Sequence, residues 1–257
     1  MSWASRRRTT YATSVTLFFI LIIGGPLAYW YFSIPATCSD GKRNQGETAA
    51  DKGGPCVLLD ARSLSPSAIL WARSFRIRDG SYNSVAYIQN PNEQAGVRAV
   101  RYRFGLYDGM NVLVAERIGT TYIMPAAVTP VHEGGIETGN RIVSRTYFEL
   151  LDQPVWERME DAARTIAVSD IRTSDITSEP RISAAIRNKD VRELKNLKFI
   201  VSVFDSAGNA FAASQTALAE LGAGEETRIV FTWPDPFRMT PSRIDIIPLA
   251  PPLSAAP

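Results

Sequence analysis

Cysteine and histidine are nearly absent. The chain of 257 residues holds two cysteines, Cys38 and Cys56, and one histidine, His132. A structural zinc site takes about four ligands, drawn mostly from these two types, so that chemistry is tightly limited. A Ser-His-Asp triad would have to be built on His132. An excess of one charge is lacking too. The formal net charge is +2, which excludes the strongly basic footprint of a nucleic-acid binder. No phosphate-cradling loop, dinucleotide fingerprint or zinc spacing occurs. What is there is ordinary globular composition, 45% hydrophobic and 21% charged, too apolar for wholesale disorder. At about 100–200 residues per domain, the length allows one or two domains.

Charge is also missing from one long run: none falls between Arg8 and Asp40. Residues 11–32 supply the roughly 20 apolar residues that a helix needs to cross a bilayer core of about 30 Å. Arg6, Arg7 and Arg8 precede the run, and the positive-inside rule keeps such a cluster in the cytoplasm. Tyr29, Trp30, Tyr31 and Phe32 close it as an aromatic belt suited to the opposite interface. Gly24, Gly25 and Pro26 are tolerated in a membrane helix. The competing readings are a cleaved signal peptide and a buried core helix. Ile34-Pro-Ala-Thr37 before Cys38 offers neither a good cleavage site nor a lipoprotein-like box. The expectation is a single-pass anchor with the remaining chain outside the cytoplasm.

In an oxidising compartment, two cysteines flanking a turn-rich segment suggest a disulfide; two free thiols are the alternative. Asp40, Asn44, Glu47 and Asp51 in this loop offer hard oxygen ligands of the kind calcium takes. Their spacing is not that of an EF-hand, and Lys42, Arg43 and Lys52 oppose a cation, so an exposed polar turn competes with a calcium site. Cys38, Asp40, Gly41, Asn44, Glu47, Thr48, Asp51, Gly53, Gly54 and Cys56 resemble a short repeat of bacterial surface proteins, Cys-x-Asp-Gly-x-x-Asn-x-x-Glu-Thr-x-x-Asp-Cys-Gly-Gly-x-Cys. Lys52 stands where that pattern has a further cysteine.

Beyond a connector over residues 57–72, apolar and polar residues alternate in short runs. In Val97–Tyr107, Val100, Tyr102, Phe104 and Leu106 share one face while Arg101, Arg103 and Gly105 share the other. That period of two predicts half-buried strands. The pattern returns about 97 residues later. Tyr87-Ile-Gln-Asn90 parallels Ala185-Ile-Arg-Asn188, and Phe104-Gly-Leu-Tyr-Asp108 parallels Val201-Ser-Val-Phe-Asp205. Arg141-Ile-Val143 is matched to Arg228-Ile-Val230, which implies an insertion in the first copy at roughly Tyr122–Gly139. Self-similarity at this spacing means tandem domains. About seven strands per copy, divided by turn signals, favour sandwiches of immunoglobulin or fibronectin-III type.

Phe104, Leu106, Tyr107 and Asp108 form the signature of the FxLYD-type domain, a small bacterial β-sandwich that this segment resembles. The second copy departs from it, reading Val-Ser-Val-Phe-Asp. The resemblance implies an extracytoplasmic, non-catalytic module. Asp108, at the strand end, is expected to start a hairpin turn.

His132 with Glu133 and Glu137 could ligate a metal, but a solvated loop histidine is the commoner outcome. Trp156 is read as core or an interdomain plug. Trp233-Pro-Asp-Pro-Phe237 is read as an exposed aromatic edge.

The expected fold is mainly β: two tandem immunoglobulin/fibronectin-III-like sandwiches behind one transmembrane helix. The expected layout is a cytoplasmic N-terminus (1–10), the helix (11–32), a disulfide-stapled loop and linker (33–70), sandwich 1 (71–160), sandwich 2 (161–250) and a tail (251–257). The expected function is a non-enzymatic cell-envelope protein that contacts or scaffolds a protein partner. The alternative is an envelope sensor or binding module for a small ligand or glycan. No cofactor is expected beyond possible calcium, and no nucleic-acid partner.

Overall fold

Among the described residues the structure is 52% strand and 13% helix, which makes the protein mainly β behind one N-terminal apolar helix. The computed structural model describes residues 3–33 and 37–252. Of the expected tail, residues 253–257 lie outside the described residues. Two units are resolved, Met1–Pro55 and Cys56–Pro257.

In the first unit, helix α1 (Trp3–Phe19) runs through a π-helical turn (Ile20–Gly24) into helix α2 (Gly25–Ser33). The π turn has a local cause. Pro26 has no N–H to donate and its ring crowds the preceding turn, so the ladder must widen there. Gly25 N–H donates to Leu21 O across this turn. Thr13 and Thr16 satisfy their hydroxyls on the carbonyls of Thr9 and Ala12, at 2.7 and 2.9 Å. The span Arg7–Trp30 is long and apolar enough to cross a membrane. After it, strands β1 (Glu47–Ala49) and β2 (Lys52–Gly53) make a two-stranded hairpin. Neither cysteine is free; Cys38 and Cys56 are in a disulfide.

The second unit is built from strands β3 (Ala68–Arg78), β4 (Ser81–Asn90), β5 (Ala95–Tyr107), β6 (Leu113–Ile123), β7 (Ala127–Glu137), β8 (Arg145–Leu150) and β9 (Trp156–Arg158), followed by β10 (Ile166–Ser174), β11 (Arg181–Asn188), β12 (Leu194–Phe204), β13 (Ala210–Leu221), β14 (Glu226–Thr232) and β15 (Arg243–Leu249). They form sheets ordered β3-β4-β7, β6-β5-β8 with β9 also on β5, β10-β11-β14 and β13-β12-β15. The first two sheets enclose one core, centred on Ile88, Phe104, Leu106, Ile123 and Trp156. The last two enclose another, centred on Ile182, Ile186, Phe199, Leu221 and Phe231.

β3 begins at Ala68, so the expected connector already contains strand. A larger correction concerns the repeat. Arg141-Ile-Val143 lies between β7 and β8, outside any strand, whereas Arg228-Ile-Val230 lies within β14. The counterpart of β14 in the first copy is β7. Val131 pairs with Ala86 as Ile229 pairs with Ala184, at the same offset as Asn90 and Asn188. Tyr122–Gly139 is therefore the end of β6 and all of β7, not an insertion.

The repeat is written into hydrogen bonds. Asn90 Nδ2 donates to Ala95 O and Met124 O at 2.6 and 2.9 Å. Asn188 Nδ2 donates to Arg192 O, Leu221 O and Gly222 O at 2.8, 3.2 and 3.0 Å. Each is a buried amide that bridges backbone carbonyls of neighbouring segments.

The two sandwiches are not beads on a string. The second face of β3-β4-β7 packs on β13-β12-β15, making four layers. Phe75, Val85 and Tyr87 from one side meet Phe204, Ala210 and Ala213 from the other. Trp71 packs on Tyr87 and Phe204, with centroids at 4.3 and 6.2 Å. Arg73 Nη1 donates to Ala210 O and Asn83 Nδ2 to Ala213 O, both at 3.2 Å. β4 is consequently buried on both faces.

Candidate functional site

The expected site residues fall into separate places. Phe104 and Leu106 are wholly buried in the first core. Asp108 organises the β5–β6 turn. Its Oδ1 accepts the N–H groups of Met110 and Val112 at 3.0 and 2.9 Å, and its other oxygen pairs with Arg141. The Val112 N–H bond, chiefly, and the Arg141 guanidinium hold its carboxyl below the usual range. Asp205 repeats the turn, accepting from Ala207 and Asn209 N–H at 2.9 and 2.8 Å.

The acidic loop is bonded to itself. Asp40 Oδ1 accepts Lys42 N–H at 2.8 Å, and its Oδ2 accepts the Asn44 amide at 2.9 Å. Both Asp51 oxygens accept Gly41 N–H, at 3.2 and 3.0 Å. Glu47 Oε2 accepts the N–H groups of Asn44 and Asp51, each at 3.2 Å. Among the described residues, Asp40, Glu47 and Asp51 do not gather into one ligand group. Their geometry is that of a self-capped turn.

His132 is not on a solvated loop. It lies on β7 opposite Val85, half-buried at the packed face between the sandwiches. Its Nε2 is enclosed and makes no hydrogen bond among the described residues. Burial, with the Lys198 ammonium adding to it, pushes its pKa down to about 4. Tyr87 and Ser202 face each other nearby, but neither hydroxyl reaches hydrogen-bond geometry. Burial raises the Tyr87 phenol to about 12. Trp233 is also a correction. It is 8% exposed and belongs to the second core, stacked edge-on with Phe237 at 5.0 Å. Trp233 packs inward against Phe237, while Pro234, Asp235 and Pro236 remain exposed. Trp156, on β9, packs into the first core.

Exposed chemistry is concentrated on the outer face of β6-β5-β8. Register places Tyr107 opposite Arg145, Gly105 opposite Tyr147 and Arg103 opposite Glu149. Arg103 is held between Glu149, at 2.6 Å, and Glu116, at 3.2 Å. Gly105 leaves a floor that the Tyr107 ring covers; a Cβ there would lie 2.9 Å from that ring. Tyr147 stands edge-to-face against Tyr107, with centroids at 5.2 Å and planes at 87°. Two depressions flank Tyr147. One, of about 350 Å³, is lined by Arg103, Gly105, Tyr107, Asn111 and Glu149. The other, of about 500 Å³, is lined by Arg73, Ser74, Ser144, Arg145 and Thr146. Arg145 and Tyr147 were missed at the level of sequence. The alternation Arg145-Thr-Tyr-Phe-Glu149 was the available signal, with Arg145, Tyr147 and Glu149 sharing a face.

No protein-family model and no curated protein matches the chain. Among solved structures, red sea bream transglutaminase is similar over 72% of this chain and 29% of its own length, at 8% identity and TM-score 0.23. Bacteroides uniformis β-glucuronidase is similar over 67% of this chain and 22% of its own, at 13% identity and TM-score 0.19. The CBM22-1–CBM22-2 tandem domain of Paenibacillus barcinonensis Xyn10C is similar over 74% of this chain and 91% of its own, at 7% identity and TM-score 0.16. The chain thus spans under a third of the first two. At such TM-scores none of the three bears on what this chain does.

Proposed function

We propose that the protein is a non-enzymatic, membrane-anchored component of the bacterial cell envelope whose stacked sandwiches, of FxLYD type, contact a protein partner outside the cytoplasm. The observation that carries this reading is a rigid apolar tip. Met110, Val112 and Leu113 on the β5–β6 turn are 81%, 45% and 44% exposed, and Ile142 is 70% exposed. The Asp108–Arg141 ion pair and the Ser144 N–H bond to Tyr107 O, at 2.8 Å, hold Ile142 beside that turn. Apolar side chains clustered on a pinned turn mark a contact surface more than a solvated loop does. The helix and its preceding arginines support an N-in anchor.

Site-specific photocrosslinking in native membranes tests this. A photoreactive residue at 110 or 142 is expected to capture one defined neighbour, and one at Lys189 on another turn is not. Equal capture from all three positions, or none at 110 and 142, defeats the reading. A second reading, a glycan-binding module, is supported by the Tyr107–Tyr147 corner on the outer sheet.

A further inference from the structure

Two features stand out on the outer face of β6-β5-β8 and at its β8 edge, where β3 of the neighbouring sheet adjoins it. The first is the tyrosine corner. Tyr107 lies flat over Gly105 and Tyr147 stands upright beside it. Neither phenol makes a hydrogen bond among the described residues. A flat ring and an upright ring together offer an L-shaped apolar surface, wet on its remaining sides, which suits a pyranose ring with C–H bonds on its face and hydroxyls at its rim. Arg103, clamped between Glu116 and Glu149, lines the same depression as the corner.

The second feature is uncompensated positive charge. Arg101, Arg103 and Arg141 all have carboxylate partners. Arg145, next to Tyr147 on the same face, has none among the described residues, and Arg73 bonds only neutral oxygens, Ala210 O and Asn209 Oδ1. Both line the depression of about 500 Å³ that adjoins Tyr147, together with the hydroxyls of Ser74, Ser144 and Thr146. A planar guanidinium without a partner, at the rim of a hydroxyl-lined hollow, is matched to a carboxylate.

We propose that this face binds an acidic glycan, a chain containing hexuronate residues, with one sugar ring in the Tyr107–Tyr147 corner and a ring carboxylate on Arg145 and Arg73. The assignment deepens the second reading above by naming the ligand class. It is independent of the apolar tip at Met110 and Ile142.

The test is isothermal titration of the full chain in neutral detergent micelles with tetragalacturonate, with cellotetraose as a neutral chain of the same length. Tetragalacturonate is expected to bind, to weaken as salt is raised, and to bind about tenfold more tightly than cellotetraose. Tyr147→Ala and Arg145→Gln are expected to weaken it at least about tenfold each, a loss of about 1.4 kcal/mol. Arg145→Gln should narrow the gap between the two sugars, and Met110→Ser should change nothing. Both altered side chains are exposed, and unchanged circular dichroism confirms that the variants fold. Absence of binding by either sugar overturns the proposal together with the glycan reading. Equal binding of both sugars that still depends on Tyr147 overturns only the acidic class. Equal binding of a tetraglutamate peptide, insensitive to Tyr147→Ala, assigns the face to acidic peptides and overturns the sugar.

Discussion

Lowering the pH should loosen the packing of the two sandwiches through His132. The ring is enclosed at Nε2, makes no hydrogen bond there among the described residues and faces Lys198. Its pKa is held near 4, against 6.5 for the ordinary group. The unfolded chain therefore binds the proton first. Between pH 6.5 and about 4, unfolding takes up protons, so stability falls as the pH falls. Above pH 6.5 His132 contributes no slope, and below about 4 its effect saturates. The gap of 2.5 units is worth about 3 kcal/mol at 1.36 kcal/mol per unit, reduced to about 2 kcal/mol for the part of the ring that water reaches. Other groups titrate in this range, so the informative quantity is a difference. Urea unfolding of the full chain in micelles, followed at several pH values between 7 and 4, is compared with that of His132→Gln, which keeps a polar side chain and cannot titrate. The wild type should lose about 2 kcal/mol more than the variant over that interval. Parallel curves would mean that His132 carries no proton-linked stability and that water reaches its Nε2.

Two further outcomes follow from the same bonding. Asn188→Ala leaves the carbonyls of Arg192, Leu221 and Gly222 without their donor and should cost about 2–3 kcal/mol; a change in chemical denaturation below about 0.5 kcal/mol would show that water replaces the amide. Reducing the Cys38–Cys56 disulfide removes about 3 kcal/mol of loop constraint in the chain-entropy model. Hydrogen exchange should then speed up across Glu47–Gly53 while β5 and β12 keep their protection, and an unchanged rate at Glu47–Gly53 would refute a role for the bridge in ordering the loop.

The strand pattern of Val97–Tyr107 was legible because one face goes to the core and the other to water, the condition under which alternation appears. Asn90 and Asn188 announced the repeat because a buried amide bridging carbonyls tolerates no replacement of different shape. β7 was illegible for a physical reason. Pro130 and the pair Gly134–Gly135 read as turn signals, yet β7 is an edge strand, where a missing N–H costs little. The two glycines form a bulge, with Gly135 at φ +63°. With β7 read as loop, His132 was placed in water and the Arg-Ile-Val match slid onto the next segment. The packing between sandwiches was hidden as well. Val85 and Tyr87 look like the outward half of an ordinary strand, and nothing local tells that a second sheet covers them.

Stacking one sandwich on the next is an operation that could in principle be repeated without end. The face that copy 2 offers to copy 1 carries Ile200, Ser202 and Phe204, and the face that receives it carries Val85 and Tyr87. The same registers on the two free ends carry different residues. Copy 1 ends in Arg101, Arg103, Gly105 and Tyr107, and copy 2 ends in Arg181, Ser183, Ala185 and Arg228, the last paired with Asp170. Head-to-tail contacts of this kind build open fibres when their faces match. Here the residues at these registers differ between the copies, so the two free faces do not repeat the pair that packs in the seam. Val201-Ser-Val-Phe204 departs from Phe104-Gly-Leu-Tyr107 where copy 2 packs in the seam, and arginines stand on both free faces.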